Sequence, residues 1–179
     1  RENVEEAIAG DIIGIYDTGN YQIGDTLSTR KETLFFEPLP TFPPELFALV
    51  TPKDTMKAKQ FQKGVSQLAQ EGAIQVYRNE YNEVIIGAVG QLQFEVFQYR
   101  LENEYNAKIR MDRLEFSLAR WVHAEDFDTV KKMLDSRTML VFDHFDRPLI
   151  LFANQFTLNY FVEKNPDIKL LEALDVKQF

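Results

Sequence analysis

Cysteine is absent from the 179 residues. Disulfides, thiolate metal centres and cysteine nucleophiles are therefore excluded, and the composition fits a reducing, cytoplasmic setting. No apolar run approaches the roughly 18 residues that a membrane-crossing helix needs, so no membrane partner is expected. The start, Arg1-Glu2-Asn3-Val4-Glu5-Glu6, is charged, has no initiator methionine and carries no secretory signal. It reads as a piece of a longer chain. Basic residues are also in short supply: 20 Lys and Arg against 28 Asp and Glu give a net charge of −8. A domain that grips nucleic acid through phosphates alone carries the opposite balance. Any nucleic-acid contact must be local, and protein surfaces are expected among the partners.

Catalytic signatures are missing too. There is no Gly-x-x-x-x-Gly-Lys-Ser/Thr phosphate loop and no Gly-x-Gly-x-x-Gly turn. His123 and His144 lack a paired serine in any recognised arrangement. Asp143-His144-Phe145-Asp146 places three potential ligands within a short stretch, but it reads as a hairpin turn that favours Asp and His. Glu102 and Glu104 are neighbours-but-one on a helix and do not face each other. RNA-recognition folds stack bases on aromatic residues of their central strands, and Val84 to Val89 contains none. We expect no catalytic, cofactor-binding or metal-binding residue here.

What is present is core-forming. Apolar residues make up 45% of the chain and phenylalanine alone numbers 15, enough for one ordinary domain with an attached piece. The organising stretch is Asn82 to Arg113. Val84 to Val89 is a β-branched run that reads as a central strand. After Gly90 the period changes to that of a helix, with Phe94, Phe97, Leu101 and Tyr105 along one stripe. Leu92, Val96 and Tyr99 form a second apolar patch nearly opposite, so this helix is expected to be covered on both sides. The second patch should face either the C-terminal extension or domains outside the chain. Asn106 reads as a left-handed stop, and Ile109 and Met111 as the next strand.

The remaining chain fits around that unit. Residues 1–37 hold short strands punctuated by Gly10, Gly14, Gly19 and Gly24, the texture of a small β-barrel, with Ile12–Ile15 and Tyr21–Ile23 expected to pair as a docked hairpin. Pro38, Pro40, Pro43 and Pro44 mark a semi-rigid boundary. Glu45 to Val50 reads as a buried strand. A helix follows, capped by Asp54 or Thr55 and stopped at Gly72, with Ala58, Phe61, Val65, Leu68 and Ala69 on its apolar face. Ile74 and Val76 then alternate in a more exposed strand. From Glu45 to about Arg113 the order is βαββαβ, the split-βαβ or ferredoxin-like plan, and the fold class is α+β. Residues 123–179 are expected to extend that core (38–122) with a short helix, a hairpin around Asp143 to Asp146, a helix over about Gln155 to Lys164 and an edge strand near Ile168 to Leu171. Lys59 and Lys63, with Lys53 and Lys57 nearby, lie on the polar side of the first helix. They read either as a solvated exterior or as a contact to an RNA backbone or an acidic partner.

Two stretches carry a resemblance. Ala9-Gly10-Asp11-Ile12-Ile13-Gly14-Ile15 with Ile23-Gly24-Asp25-Thr26-Leu27 resembles the end of the barrel, domain II, of translational GTPases. Gly87-Ala88-Val89-Gly90-Gln91-Leu92-Gln93-Phe94 resembles the strand-to-helix junction of domain III in the translocating elongation factors, which read Gly-Glu-Leu-His-Leu-Glu there. Gln91 and Gln93 depart from that pattern, as does everything after Val122. Phe42-Pro43-Pro44-Glu45-Leu46-Phe47, Glu71-Gly72-Ala73-Ile74-Gln75-Val76, Gly87 to Phe94 and Ala119-Arg120-Trp121-Val122 instead closely resemble the bacterial peptide chain release factor 3 family. The resemblance implies the end of domain II followed by domain III of a GTPase that speeds departure of the codon-reading release factor. It also implies GTP or GDP and Mg in a GTPase domain outside this chain. The implied partners are that domain, small-subunit ribosomal RNA and protein, and indirectly the codon-reading release factor. The alternatives are a translocase-type domain III fragment, or a free-standing ferredoxin-like module that binds a small ligand.

Overall fold

Val84 to Ala88 forms the strand on which the molecule is built, and every one of its residues is buried. In the computed structural model the described residues are 3–16, 20–21, 24–31, 34, 36, 43–72 and 74–172. Their elements run β1 (Leu46–Pro52), α1 (Ala58–Gln70), β2 (Gln75–Asn79), β3 (Val84–Ala88), α2 (Gln91–Glu104), β4 (Ile109–Leu114), β5 (Leu118–Val122), α3 (Phe127–Lys131), β6 (Thr138–Phe142), β7 (Pro148–Phe152), α4 (Gln155–Lys164) and β8 (Leu170–Leu171). All eight strands join one antiparallel sheet in the order β4-β1-β3-β2-β6-β7-β5-β8. The first four strands have the spatial order of the split-βαβ plan. β5 pairs with β7 and β8 rather than with any of β1 to β4.

The sheet is folded over itself. Ala48, Val50, Val84, Ile86 and Ala88 point to one side, where Phe61, Val65 and Leu68 of α1 and Phe94, Phe97 and Leu101 of α2 meet them. Phe47, Tyr77 and Ile85 point to the other side and share a core with Ala119, Trp121, Val141, Leu149 and Leu151. The outer surface of the second half carries Val122, Ile150 and Phe152 under Val130 of α3 and Leu158 and Phe161 of α4. The result is four layers: helices, sheet, sheet, helices. The crease lies where β2 meets β6 through the short register Arg78↔Phe142 and Asn79↔Val141. Alternate side chains thus go to two different cores, so β1, β3 and β7 read as nearly continuous apolar runs.

Local chemistry explains the boundaries. The Asp54 carboxylate accepts from the Met56 amide at 2.9 Å and opens the turn into α1. Gly72 ends that segment with φ of +71°, and Asn106 closes the α2 region with φ of +53°. The side-chain oxygen of Gln93 accepts from the Val89 and Gly90 amides at 2.7 and 3.2 Å, which caps α2 from within. Gly64 is where α1 touches α2: a Cβ there would stand 2.5 Å from Leu101 Cδ2 and 2.8 Å from Tyr105 Cγ.

Four expectations need correction. β2 is not an exposed strand: it lies between β3 and β6, and Tyr77 is fully buried because the folded-over half covers it. Ala58 is exposed, since the contact with the sheet begins at Phe61. The described residues of the C-terminal extension, up to Glu172, do not cover the second patch of α2, because they pack on the opposite side of the sheet. The pairing of Ile12–Ile15 is not formed either: no strand occurs among the described residues before Leu46, and residues 3–16 are exposed throughout. A two-stranded hairpin without further strands or a covering layer is marginal in water. Residues 17–19, Gln22, Ile23, Pro38 and Pro40 lie outside the described residues.

Candidate functional site

Two surfaces stand out, and both belong to the first half of the sheet. The first is cationic. Lys53 follows β1, Lys57 ends the turn before α1, and Lys59 and Lys63 sit on successive turns of α1; all but the half-buried Lys57 are exposed. The Lys53 amide donates to the Lys108 carbonyl at 2.9 Å, so the turn before β4 brings Lys108 to the same end of the fold. Sequence spacing gave no sign of Lys108, which is 55 positions from Lys53 and reaches it through the pairing of β1 with β4. These five lysines form no ion pair among the described residues, whereas Arg100, Arg110, Arg120, Lys131, Arg137 and Arg147 all do. Lys132, Lys164 and Lys169 of the second half form none either, so what marks the five is that they gather at one end of an acidic chain.

The second surface is apolar. Leu92 and Tyr99 are each 68% exposed, Val96 is 43% exposed, and Val89 in the turn before α2 is 44% exposed. The i, i+4, i+7 spacing places the first three on one stripe. No described residue of the second half covers them.

The polar groups of the β6–β7 hairpin and of α2 are held in local contacts. Asp143 is buried, and its Oδ2 accepts from Trp121 Nε1 and Arg147 Nε, each at 2.9 Å. Its Oδ1 accepts from the Phe145 and Arg147 amides at 2.9 and 3.1 Å. This carboxylate ties the β6–β7 hairpin to β5. Asp146 takes the left-handed position of the turn with φ of +58°, and the His144 ring packs at a tilt against Phe145. Glu104 bonds Arg100 and Glu102 bonds Gln98, so the two glutamates point to different partners. Among the described residues no group of three or more His, Asp and Glu could hold a metal ion. A groove of about 470 Å³ between α4 and the β5–β8 edge is lined by Arg120, Gln155, Leu158, Asn159 and Val162 among others, and assembles no nucleophile with a base. No helix among the described residues is long and apolar enough to cross a membrane.

The chain is thus an α+β domain with one cationic end and one exposed apolar helix face. The particular family follows from comparison. Residues 36–162 match the model of the class II release factor RF3, C-terminal domain, and the chain belongs to that family. The match runs through both halves of the folded sheet. The chain is 54% identical over 175 residues to a peptide chain release factor 3 of Streptococcus uberis, covering 97% of the chain and 34% of that relative. It is 58% identical over 171 residues to the protein of the same name from Enterococcus faecalis, covering 95% of the chain and 32% of the relative. For that of Listeria welshimeri the identity is 57% over 175 residues, with 97% and 33% covered. The chain therefore spans about a third of the length of the curated relatives it matches.

Proposed function

We propose that this chain is the ribosome-facing, non-catalytic C-terminal part of a translation-termination GTPase whose full-length form promotes recycling of codon-reading release factors. The carrying observation is the family match, together with relatives named peptide chain release factor 3 aligned along 97% of the chain. In this reading residues 1–37 are the last strands of barrel domain II, 38–122 the core of domain III, and 123–179 its extension. GTP or GDP and Mg are held by a GTPase domain elsewhere in the full-length protein, and the setting is cytoplasmic. Lys53, Lys57, Lys59 and Lys63 meet small-subunit RNA and protein, a mixture for which bare lysines beside a polar helix face are suited. Leu92, Val96 and Tyr99 form an interdomain face. The codon-reading release factor is affected only through the ribosome.

The experiment has two arms. Full-length protein should hydrolyse GTP when ribosomes are present and hasten dissociation of a codon-reading release factor from ribosomes after peptide release. Failure of the second activity would remove the recycling role. The 179-residue chain should bind neither GTP nor GDP in isothermal titration. Saturable binding tighter than about 10 μM, roughly −6.8 kcal/mol, would overturn the non-catalytic assignment.

A further inference from the structure

We infer that the cationic end takes an unpaired nucleotide of RNA, with the base on the ring of Tyr81 and the phosphates on Lys53 and Lys108. The inference rests on the ribosome-facing reading above. It adds which ribosomal material this end meets, and a stacking residue outside the lysines.

The fold brings these residues together from β4, β1 and the turn into β3. Lys53 follows the end of β1 and Lys108 precedes the start of β4, where the Lys53 amide donates to the Lys108 carbonyl at 2.9 Å. On the other side of β1, Val50 pairs with Val84, the first residue of β3. Neighbouring strands are about 5 Å apart, so residues 80–82, which lead into β3, stand beside the segment that leaves β1. Asn79 holds this turn: its side-chain oxygen accepts from the Tyr81 and Glu83 amides at 3.0 and 2.9 Å. The Tyr81 side chain takes no part in that and is 83% exposed. Among the described residues no aromatic ring and no cation lies over it.

Charge at this end favours RNA. The chain carries a net −8, so its field repels phosphates except where cations gather. The carboxylates of the neighbouring turns are already engaged. Asp54 accepts from the Met56 amide, Glu83 accepts from Asn79 Nδ2 at 2.7 Å, and Glu80 pairs with Lys131. Stability does not account for the lysines. Lys57 and Lys59 stand at the start of α1, where the helix macrodipole opposes cations, and no acid in the first turn offsets them. An open aromatic ring beside lysines suits single-stranded RNA, whose bases stack on rings while its phosphates meet ammonium groups. An acidic protein surface would engage the lysines without needing the ring. Tyr160 on α4 lacks that opening, because Lys164 of its own helix lies over the ring, 5.6 Å from its centre.

Binding of the full-length protein to small ribosomal subunits tests this. Tyr81→Ala should weaken binding about 5- to 100-fold, the range for one lost base–aromatic stack, with the salt dependence unchanged. Tyr81→Phe should bind as the wild type does. Lys53→Gln with Lys108→Gln should flatten the logarithmic salt slope by about 0.7–0.9 per lysine. Chemical modification of the RNA bases supplies a second readout. An unpaired base should be shielded under saturating wild type or Tyr81→Phe, and reactive again under saturating Tyr81→Ala. Tyr160→Ala should leave affinity and shielding as they were. The substituted side chains are exposed, so thermal unfolding of each variant should match the wild type. Affinity of Tyr81→Ala within about twofold of the wild type would overturn the stack. So would weaker affinity with no base released, since Tyr81 would then meet a ribosomal protein. An unchanged slope for the lysine pair would remove the phosphates. If the wild type binds no ribosome, the reading above falls and this site with it; if all variants bind alike, the site falls alone.

Discussion

In the first half of the sheet α1 and α2 meet over Gly64, and every buried side chain between helices and strands is apolar. In the second half the β6–β7 hairpin is held to β5 by a buried carboxylate, Asp143, which with Thr157 makes up the buried polar groups among the described residues. The two halves are of similar size and share one sheet, yet their weak points differ in kind. Where apolar volume alone holds the layers, damage comes from changed shape. Where one charge joins several donors, damage comes from leaving those donors without a partner.

The largest effect should follow Asp143→Ala. It strands the Trp121 indole N–H and the amides of Phe145 and Arg147, and takes a carboxylate from the Arg147 guanidinium. Removing one partner of such a buried, charged set costs about 3–5 kcal/mol. Trp121 is the only tryptophan, so urea unfolding followed by its fluorescence reads the loss directly. A cost below about 1 kcal/mol would mean that backbone pairing alone positions the hairpin and that the contrast between the halves is false.

Gly64→Ala tests the other half. The added methyl would enter the space of Leu101 and Tyr105. Overpacking costs about 1–3 kcal/mol, and better helix propensity returns about 1, leaving a net loss of about 0–2 kcal/mol. Thermal unfolding would show it. A gain in stability would mean that Tyr105 swings aside and that the α1–α2 contact is loose.

Tyr77 stands where the two halves touch. Its hydroxyl donates to Gln75 Oε1 at 2.6 Å, and burial, reinforced by the charge of Asp143, raises its pKa well above the ordinary 10.0. The folded state therefore keeps the proton at a pH where the unfolded chain releases it. Stability from this group is complete below about pH 10 and declines as pH rises beyond it. Tyr77→Phe should cost about 0.5–1.5 kcal/mol at neutral pH for the lost hydrogen bond. It should also make the alkaline fall in stability shallower. An unchanged slope above pH 10 would place the sensitivity in other tyrosines.

These groups also mark what was legible in the sequence. The strand at Val84, the two faces of α2, the hairpin around Asp143 and the span of α4 follow from local period, turn residues and caps. Tyr77 was not legible as a core residue. The strands that bury it, β5 to β7, come at least 41 residues later, and nothing near Gln75 announces them. Lys108 was missed for the same reason: only the register of β1 with β4 makes it a neighbour of Lys53. The arm before Pro43 carries strand-like alternation, but alternation makes a strand only where a partner strand is at hand. Those isoleucines are exposed because the described residues offer none.

The smallest effect on stability is expected at the cationic end, and it sharpens the comparison by separating folding from docking. Lys53, Lys57, Lys59, Lys63 and Lys108 have no carboxylate partner among the described residues, so reversing them to Glu leaves no broken pair behind. Each change should move the unfolding free energy by no more than about 0.5 kcal/mol. Lys132 and Lys169 in the second half are exposed, like all of the five but Lys57, and serve as controls. In the full-length protein, reversal at the first set should weaken ribosome binding, and reversal of the controls should not. Across a salt series the dependence of binding on salt should also flatten, because each lysine removed from a phosphate takes about 0.7–0.9 from the logarithmic slope. A weaker affinity with an unchanged slope would point to an acidic protein surface as the partner. Unchanged affinity at low salt would make these lysines solvated exterior and nothing more.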